Sequence, residues 1–144
     1  MDIKETLEIN ELLEVCNRIK ETRDCRISEK VLLRLMGAGN ITDRVRTFVS
    51  YDQDKMTGCA VLLLQEDLTG DMTLFLIYMY IDKHYPLLTE QYIKLIEEKA
   101  KEMKADKISF TTHRNPKAVI RKYGKYGYYH RCSVIDKKIG KEVV

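Results

Sequence analysis

The sequence offers no sequestered metal or redox signature. Its four cysteines, Cys16, Cys25, Cys59 and Cys132, are scattered and no pair has C-x-x-C spacing, so neither a zinc site nor a dithiol motif is suggested. Scattered single cysteines fit reduced thiols in a cytoplasmic protein. The N-terminus, Met1-Asp2-Ile3-Lys4-Glu5, lacks the apolar run of a signal peptide. The longest apolar run, Leu74 to Ile81, is far too short to span a bilayer. No internal repeat, low-complexity tract or linker interrupts the chain, and a single domain over 1–144 is expected. An excess of one charge is lacking too: 25 basic residues against 22 acidic give a net charge of +3.

What is present is the balance of an ordinary globular domain, with 44% hydrophobic and 33% charged residues in 144. A chain of this length can bury a core without staples. The charge is unevenly spread. From His113 to Val144 there are nine Lys/Arg and two Asp/Glu, a net +7, while the remainder holds 16 basic against 20 acidic residues, a net −4. The basic C-terminal part is either a surface for phosphate or a solvated face.

Along the chain, residues 3–9 alternate loosely and suggest a short first strand. Asn10 can cap a helix running to about Thr22, with Leu12, Leu13, Cys16 and Ile19 at helical spacing. Ser28 can cap a second helix, with Val31, Leu32, Leu35 and Met36 inward and Gly37 at its end. Arg46 to Tyr51, Thr57 to Gln65 and Met72 to Asp82 read as an antiparallel meander. Leu88, Tyr92, Leu95, Ile96 and Met103 mark one face of a third helix. Lys107 to Thr112 reads as a strand. Asn115-Pro116 is a helix start, an N-cap followed by proline at the first helical position, and that helix ends near Gly124 or Gly127. Tyr128 to Ile139 reads as a last strand. The order is β-α-α-β-β-β-α-β-α-β, an α/β fold with a central mixed sheet and helices on both faces.

This order of elements resembles the GNAT superfamily of N-acetyltransferases, and three stretches strengthen the likeness. Glu98 to Phe110 is similar to the family's third helix leading into its fifth strand. Asn115-Pro-Lys-Ala118 followed by Tyr123-Gly-Lys-Tyr-Gly-Tyr128 is similar to the family pattern of Asn, a small residue, Tyr and then Gly-Phe. Ile135 to Lys138 resembles the closing strand. Small phage-encoded members carry a stretch similar to Arg114 to Ala118. The likeness is clearest over residues 72–139 and rests on element order before that.

The resemblance implies acetyl-CoA as cofactor and a primary amine on a small molecule or protein as acceptor. It also implies that main-chain N–H groups at the start of the third helix hold a pyrophosphate, because a helix N-terminus presents unpaired donors to an anion. The family's Arg/Gln-x-x-Gly-x-Gly/Ala loop falls here on His84, Leu87 and Thr89, with no glycine. His84, Leu87, Leu88 and Thr89 are thus the candidate cofactor contacts, and Leu87 is the residue that would crowd the phosphate. Asn115 corresponds to a pantetheine contact, and as a helix N-cap it is fully explained without a ligand.

Acetyl transfer needs a neutral amine, although a lysine-type amine has a pKa of about 10.4 in water. It also needs donors for the developing oxyanion and an acid for the leaving thiolate. The resemblance places the oxyanion donors at Met79 to Ile81 of the fourth strand and the acid at Tyr123. Tyr123 reads equally as an aromatic packed at a helix end. Asp82, expected on one strand face with Tyr78 and Tyr80, is the candidate base acting through a water. Glu66 and Asp71 are alternatives at strand ends. His84 suits phosphate contact better than base catalysis. His113 and His130 read as polar strand-end residues. Arg121, Lys122 and Lys125 can meet a cofactor phosphate or nucleic acid. Tyr126, Tyr128 and Tyr129, interleaved with Lys125 and Arg131, form either a stacking surface or the apolar opening of a strand. The competing reading to an enzyme is a GNAT-like binding module, without cofactor, acting through protein or nucleic-acid contact.

Overall fold

Five strands form one sheet in sequence order: β1 (Ile3–Glu5), β2 (Val45–Asp52), β3 (Lys55–Glu66), β4 (Met72–Ile81) and β5 (Lys107–Ser109). The first four pair antiparallel, and β5 runs parallel to β4. The structure is a computed structural model and describes residues 2–22, 27–112, 115–131, 137 and 139–140. The chain forms two compact units, Met1–Thr111 and Thr112–Val144.

In the first unit both sheet faces are covered. On one, α1 (Ile9–Thr22) and α2 (Glu29–Gly37) bury Leu12, Val15, Ile19, Leu32 and Met36 with Val49, Val61 and Tyr78. On the other, α3 (Leu88–Glu102) buries Leu88, Tyr92, Ile96 and Ala100 with Phe48, Leu62 and Leu74. Each fully buried aliphatic side chain contributes about 1.5–3 kcal/mol. Coverage on both sides explains why β3 is a continuous buried run from Met56 to Leu62 and not an alternating strand.

The helix starts show local chemistry at work. Ser28 caps α2, accepting from the Val31 N–H, as its position suggests. The expected Asn10 cap is not formed. Asn10 lies inside α1, and the Glu8 carboxylate accepts from the N–H groups of Asn10 and Glu11 at 3.1 and 3.2 Å. Gly37 ends α2, in a right-handed conformation that runs on into a short 3-10 turn. The first strand is shorter than expected and stops at Glu5, because Thr6 already turns toward α1 and its hydroxyl accepts from the Glu8 N–H.

In the second unit, α4 (Pro116–Tyr123) starts as expected. Asn115 Oδ1 accepts from the Lys117 N–H at 2.9 Å and Pro116 fills the first turn. A 3-10 turn over Gly124–Tyr126 ends at Gly127, whose φ of 92° lies where a side chain would be strained. Of the expected last strand, Tyr128 to Arg131 carry no strand pairing, and most of the rest lies outside the described residues. His113 also lies outside them. Among the described residues, no helix is long and apolar enough to cross a membrane.

Candidate active site

The feature that sets the site is the parting of β4 and β5. β5 pairs with β4 only at Thr73, Leu74 and Phe75. Lys107 anchors β5 at that end, its ammonium 2.6 Å from Asp67 and 3.3 Å from Asp71, while the Asp106 carboxylate accepts from the Met72 N–H. Beyond Phe75 no strand of the described residues covers this edge of β4.

A β-bulge falls where the two strands separate. Val61 is opposite Tyr78 and Leu62 opposite Leu76, so Ile77 is an extra residue in β4. The bulge corrects the expected alternation: Ile77 packs on the same face as Tyr78 and Tyr80, and Met79 and Ile81 pack toward α3. Past the bulge the ladder is regular. Asp82 donates its N–H to the Thr57 carbonyl at 2.8 Å, so its main chain faces β3. Antiparallel alternation then turns the N–H and C=O groups of Ile81 and Met79 to the open edge. The two main-chain groups implied for the oxyanion are therefore directed away from β3, at an edge that no strand of the described residues pairs.

β4 is followed by a clipped loop. The Asp82 side chain is buried, and its Oδ1 accepts from the His84 N–H at 2.9 Å and lies 2.8 Å from His84 Nδ1. Oδ2 lies 3.0 Å from the Lys55 ammonium. The His84 N–H first, and Lys55 next, hold the Asp82 carboxyl well below the usual carboxylate range. A carboxylate with these partners suits orienting His84 better than drawing a proton from the acceptor, the role expected of it. It orders the loop and presents the His84 ring, which is largely exposed. A second clip joins the same pieces, with the Tyr85 hydroxyl donating to Asp52 at 2.6 Å. Lys55, Asp52 and Tyr85 were not singled out by their sequence positions. An Asp two residues before His in a turn is the local signal that was available.

At the start of α3 the donors are fewer than a glycine-rich loop provides. Tyr85 donates to the Asp82 carbonyl, and Pro86 has no N–H. Leu88 was expected to contact a cofactor. Its N–H instead donates to the Tyr85 carbonyl at 3.0 Å and its side chain is in the core. The N–H groups of Leu87 and Thr89 have no hydrogen-bond partner among the described residues. Leu87 is 76% exposed, its side chain turned to solvent.

Three linked side chains fix this helix end on the sheet. The Tyr92 ring is fully buried, and its hydroxyl is 2.9 Å from Ser50 Oγ, which lies 3.0 Å from Thr57 Oγ1. Burial pushes the Tyr92 hydroxyl above the usual phenol range. Gly58 makes room for the ring.

Glu66 and Asp71 lie at the other end of the β3–β4 hairpin from Asp82. Ten residues of β4 separate the ends, about 30 Å by strand rise, so neither carboxylate faces this loop. Asn115 and Tyr123 belong to the second unit. The Asn115 amide oxygen is occupied as the N-cap of α4. Tyr123 ends that helix, half-buried, its ring edge-on to Tyr128 at 6.3 Å. Among the described residues, no group of three or more His, Cys, Asp or Glu is placed to hold a metal ion.

No protein-family model matches the chain, and no curated protein matches its sequence. Solved structures are similar over nearly its whole length. The aminoglycoside N-acetyltransferase AAC(6′)-Iy, in complex with a bisubstrate analogue, superposes with a TM-score of 0.73 at 12% identity, covering 95% of this chain and 96% of that one. The same enzyme with CoA gives 0.69 at 12% identity, covering 95% and 98%. Ribosomal-protein-alanine N-acetyltransferase from Brucella melitensis biovar Abortus 2308 gives 0.66 at 13% identity, covering 96% and 98%. At such identities the likeness is one of fold.

Proposed function

We propose, from the mixed α/β fold that this chain shares with GNAT acetyltransferases, that it moves an acetyl group from acetyl-CoA to a primary amine. The observation that carries the reading is the open β4 edge, with the Met79 and Ile81 main chains turned toward it. Acetyl-CoA supplies the acetyl group as a thioester. The chain's own residues hold and orient it. Met79 and Ile81 offer donors where negative charge develops on the carbonyl oxygen, and such donors act without reorganising. Leu87 and Thr89 offer N–H groups at a helix N-terminus to the pyrophosphate. His84, oriented by Asp82, takes the place of the family's Arg or Gln as a phosphate contact. Asp82 is a positioning residue in this scheme. The resemblance assigns Asn115 to the pantetheine arm.

In the transfer, the neutral amine's nitrogen forms a bond to the acetyl carbon, the carbon–sulfur bond breaks, the nitrogen gives up one proton to solvent, and the departing thiolate takes one. The resemblance assigns that proton to Tyr123. The loop without glycine is a thinner anion cradle than the family's, and this favours one second reading, a module that no longer holds the cofactor. The two buried free thiols, Cys16 and Cys59, suit a reducing compartment such as the cytoplasm.

Calorimetric titration with acetyl-CoA separates the two readings. The enzyme reading expects saturable binding, and a thermal shift equivalent to about 2.7 kcal/mol at 100 times the dissociation constant. An acceptor screen of small amines and peptide N-termini follows. No binding at millimolar cofactor would leave the module.

A further inference from the structure

The second unit carries a basic ridge to which the proposed transfer gives no role. Its described residues include Lys117, Arg121, Lys122, Lys125, Arg131 and Lys137, and no Asp or Glu. Lys117, Arg121 and Lys125 are four residues apart, which stacks them along one ridge of α4 and the turn after it. All three are exposed, as is Lys122, while Val119 is buried half a turn away. Like charges at i and i+4 cost a helix stability. The described residues of this unit include no carboxylate to offset that cost, although Arg121 and Lys122 lie in the last turn, where the helix dipole favours a cation.

Aromatic rings alternate with these cations. The Lys122 ammonium lies 5.3 Å from the Tyr123 ring centre and the Lys125 ammonium 5.1 Å from that of Tyr126. Tyr129 is 75% exposed. A row of exposed cations, two of them against half-buried rings, with one exposed ring a few residues on, matches a ligand that alternates flat bases with phosphates. Such a ligand must be single-stranded, since a duplex stacks its bases on one another and hides their faces.

We infer that the basic ridge of α4 and the tyrosines that follow it bind single-stranded nucleic acid without sequence preference. The phosphates meet Lys117, Arg121, Lys122 and Lys125, and a base stacks on Tyr129.

The test is fluorescence anisotropy of the full chain with a short labelled oligo(dT), across a salt series. Neutralising about four phosphates should weaken binding about fiftyfold between about 50 and 200 mM salt. The double variant Arg121→Gln/Lys125→Gln should bind more weakly, and its salt effect should fall to about sevenfold over the same range. Tyr129→Ala should weaken binding about tenfold with little change in salt dependence. These positions are exposed, and thermal unfolding of each variant checks that it is folded. The inference is overturned if oligo(dT) does not bind, or if polyphosphate binds as tightly and Tyr129→Ala has no effect. It is equally overturned by tighter binding to duplex, by binding only to anionic lipid vesicles, or by displacement with stoichiometric CoA. A parallel acetyl-CoA titration is read separately, so either idea can fail alone.

Discussion

Replacing Gly58 by alanine probes how α3 is held against the sheet. A Cβ built there would lie 2.8 Å from Tyr92 Cε2, 3.1 Å from Ser50 Oγ and 3.1 Å from the Tyr80 carbonyl. None of the three can retreat easily. The Tyr92 ring is fully buried and tethered through its hydroxyl to Ser50, and the Tyr80 carbonyl belongs to the β4 main chain. Overpacking of this kind costs about 1–3 kcal/mol. For a chain of this size about 2 kcal/mol corresponds to roughly 4–8 °C in Tm. Scanning calorimetry of Gly58→Ala should show that fall. The cause is isolated by a double-mutant cycle: Tyr92→Leu alone loses the buried ring, but in the Gly58→Ala background it also removes the clash. The pair should therefore be less destabilising than the two single changes added together. A Tm within a degree of the parent for Gly58→Ala, or strict additivity in the cycle, would refute the packing argument.

Three further outcomes follow from the same structure. Lys104 sits just past α3 with a φ of 58°, and Ala105 donates back to the Ala100 carbonyl in a C-terminal cap. Lys104→Gly should raise stability by about 1 kcal/mol in urea unfolding, since glycine adopts that backbone freely. Asp82 has a folded-state pKa held below its unfolded value, so its contribution is present above about pH 4 and is lost as pH falls through the native value. Asp82→Asn should thus be less stable than the parent at neutral pH, with the gap closing in acid, as read from Tm against pH. If acetyl transfer is measured, Tyr123→Phe should lower kcat about 100-fold or more with KM for acetyl-CoA little changed. An unchanged kcat would remove Tyr123 from the acid role.

Local chemistry made the helix starts at Ser28 and Asn115-Pro116 readable, since a cap and the N–H that donates to it lie within three residues. Hydrophobic period made the meander and α3 readable. The Asn10 cap misled, because the Glu8 carboxylate, two residues earlier, accepts from the Asn10 and Glu11 N–H groups and starts the helix sooner. The bulge at Ile77 has no signature in an apolar run, and a one-residue slip decides which side chains share a face. Tyr92 was legible as core, but its hydroxyl partner Ser50 is 42 residues away, a pairing that no local pattern encodes. The role of Asp82 depended on Lys55, which the pairing of β3 with β4 brings beside it from 27 residues earlier in the chain. Without it, a carboxylate at the end of β4 reads naturally as a base.

The central claim is that the open edge of β4 and the first turn of α3 together hold acetyl-CoA. The most direct test is amide NMR of the labelled protein during titration with acetyl-CoA, following Met79, Ile81, Leu87 and Thr89. The account predicts that these four N–H signals shift together and saturate, while Leu88, already bonded to Tyr85, moves less. Saturable shifts confined to other residues, or no shift at millimolar acetyl-CoA, would contradict it.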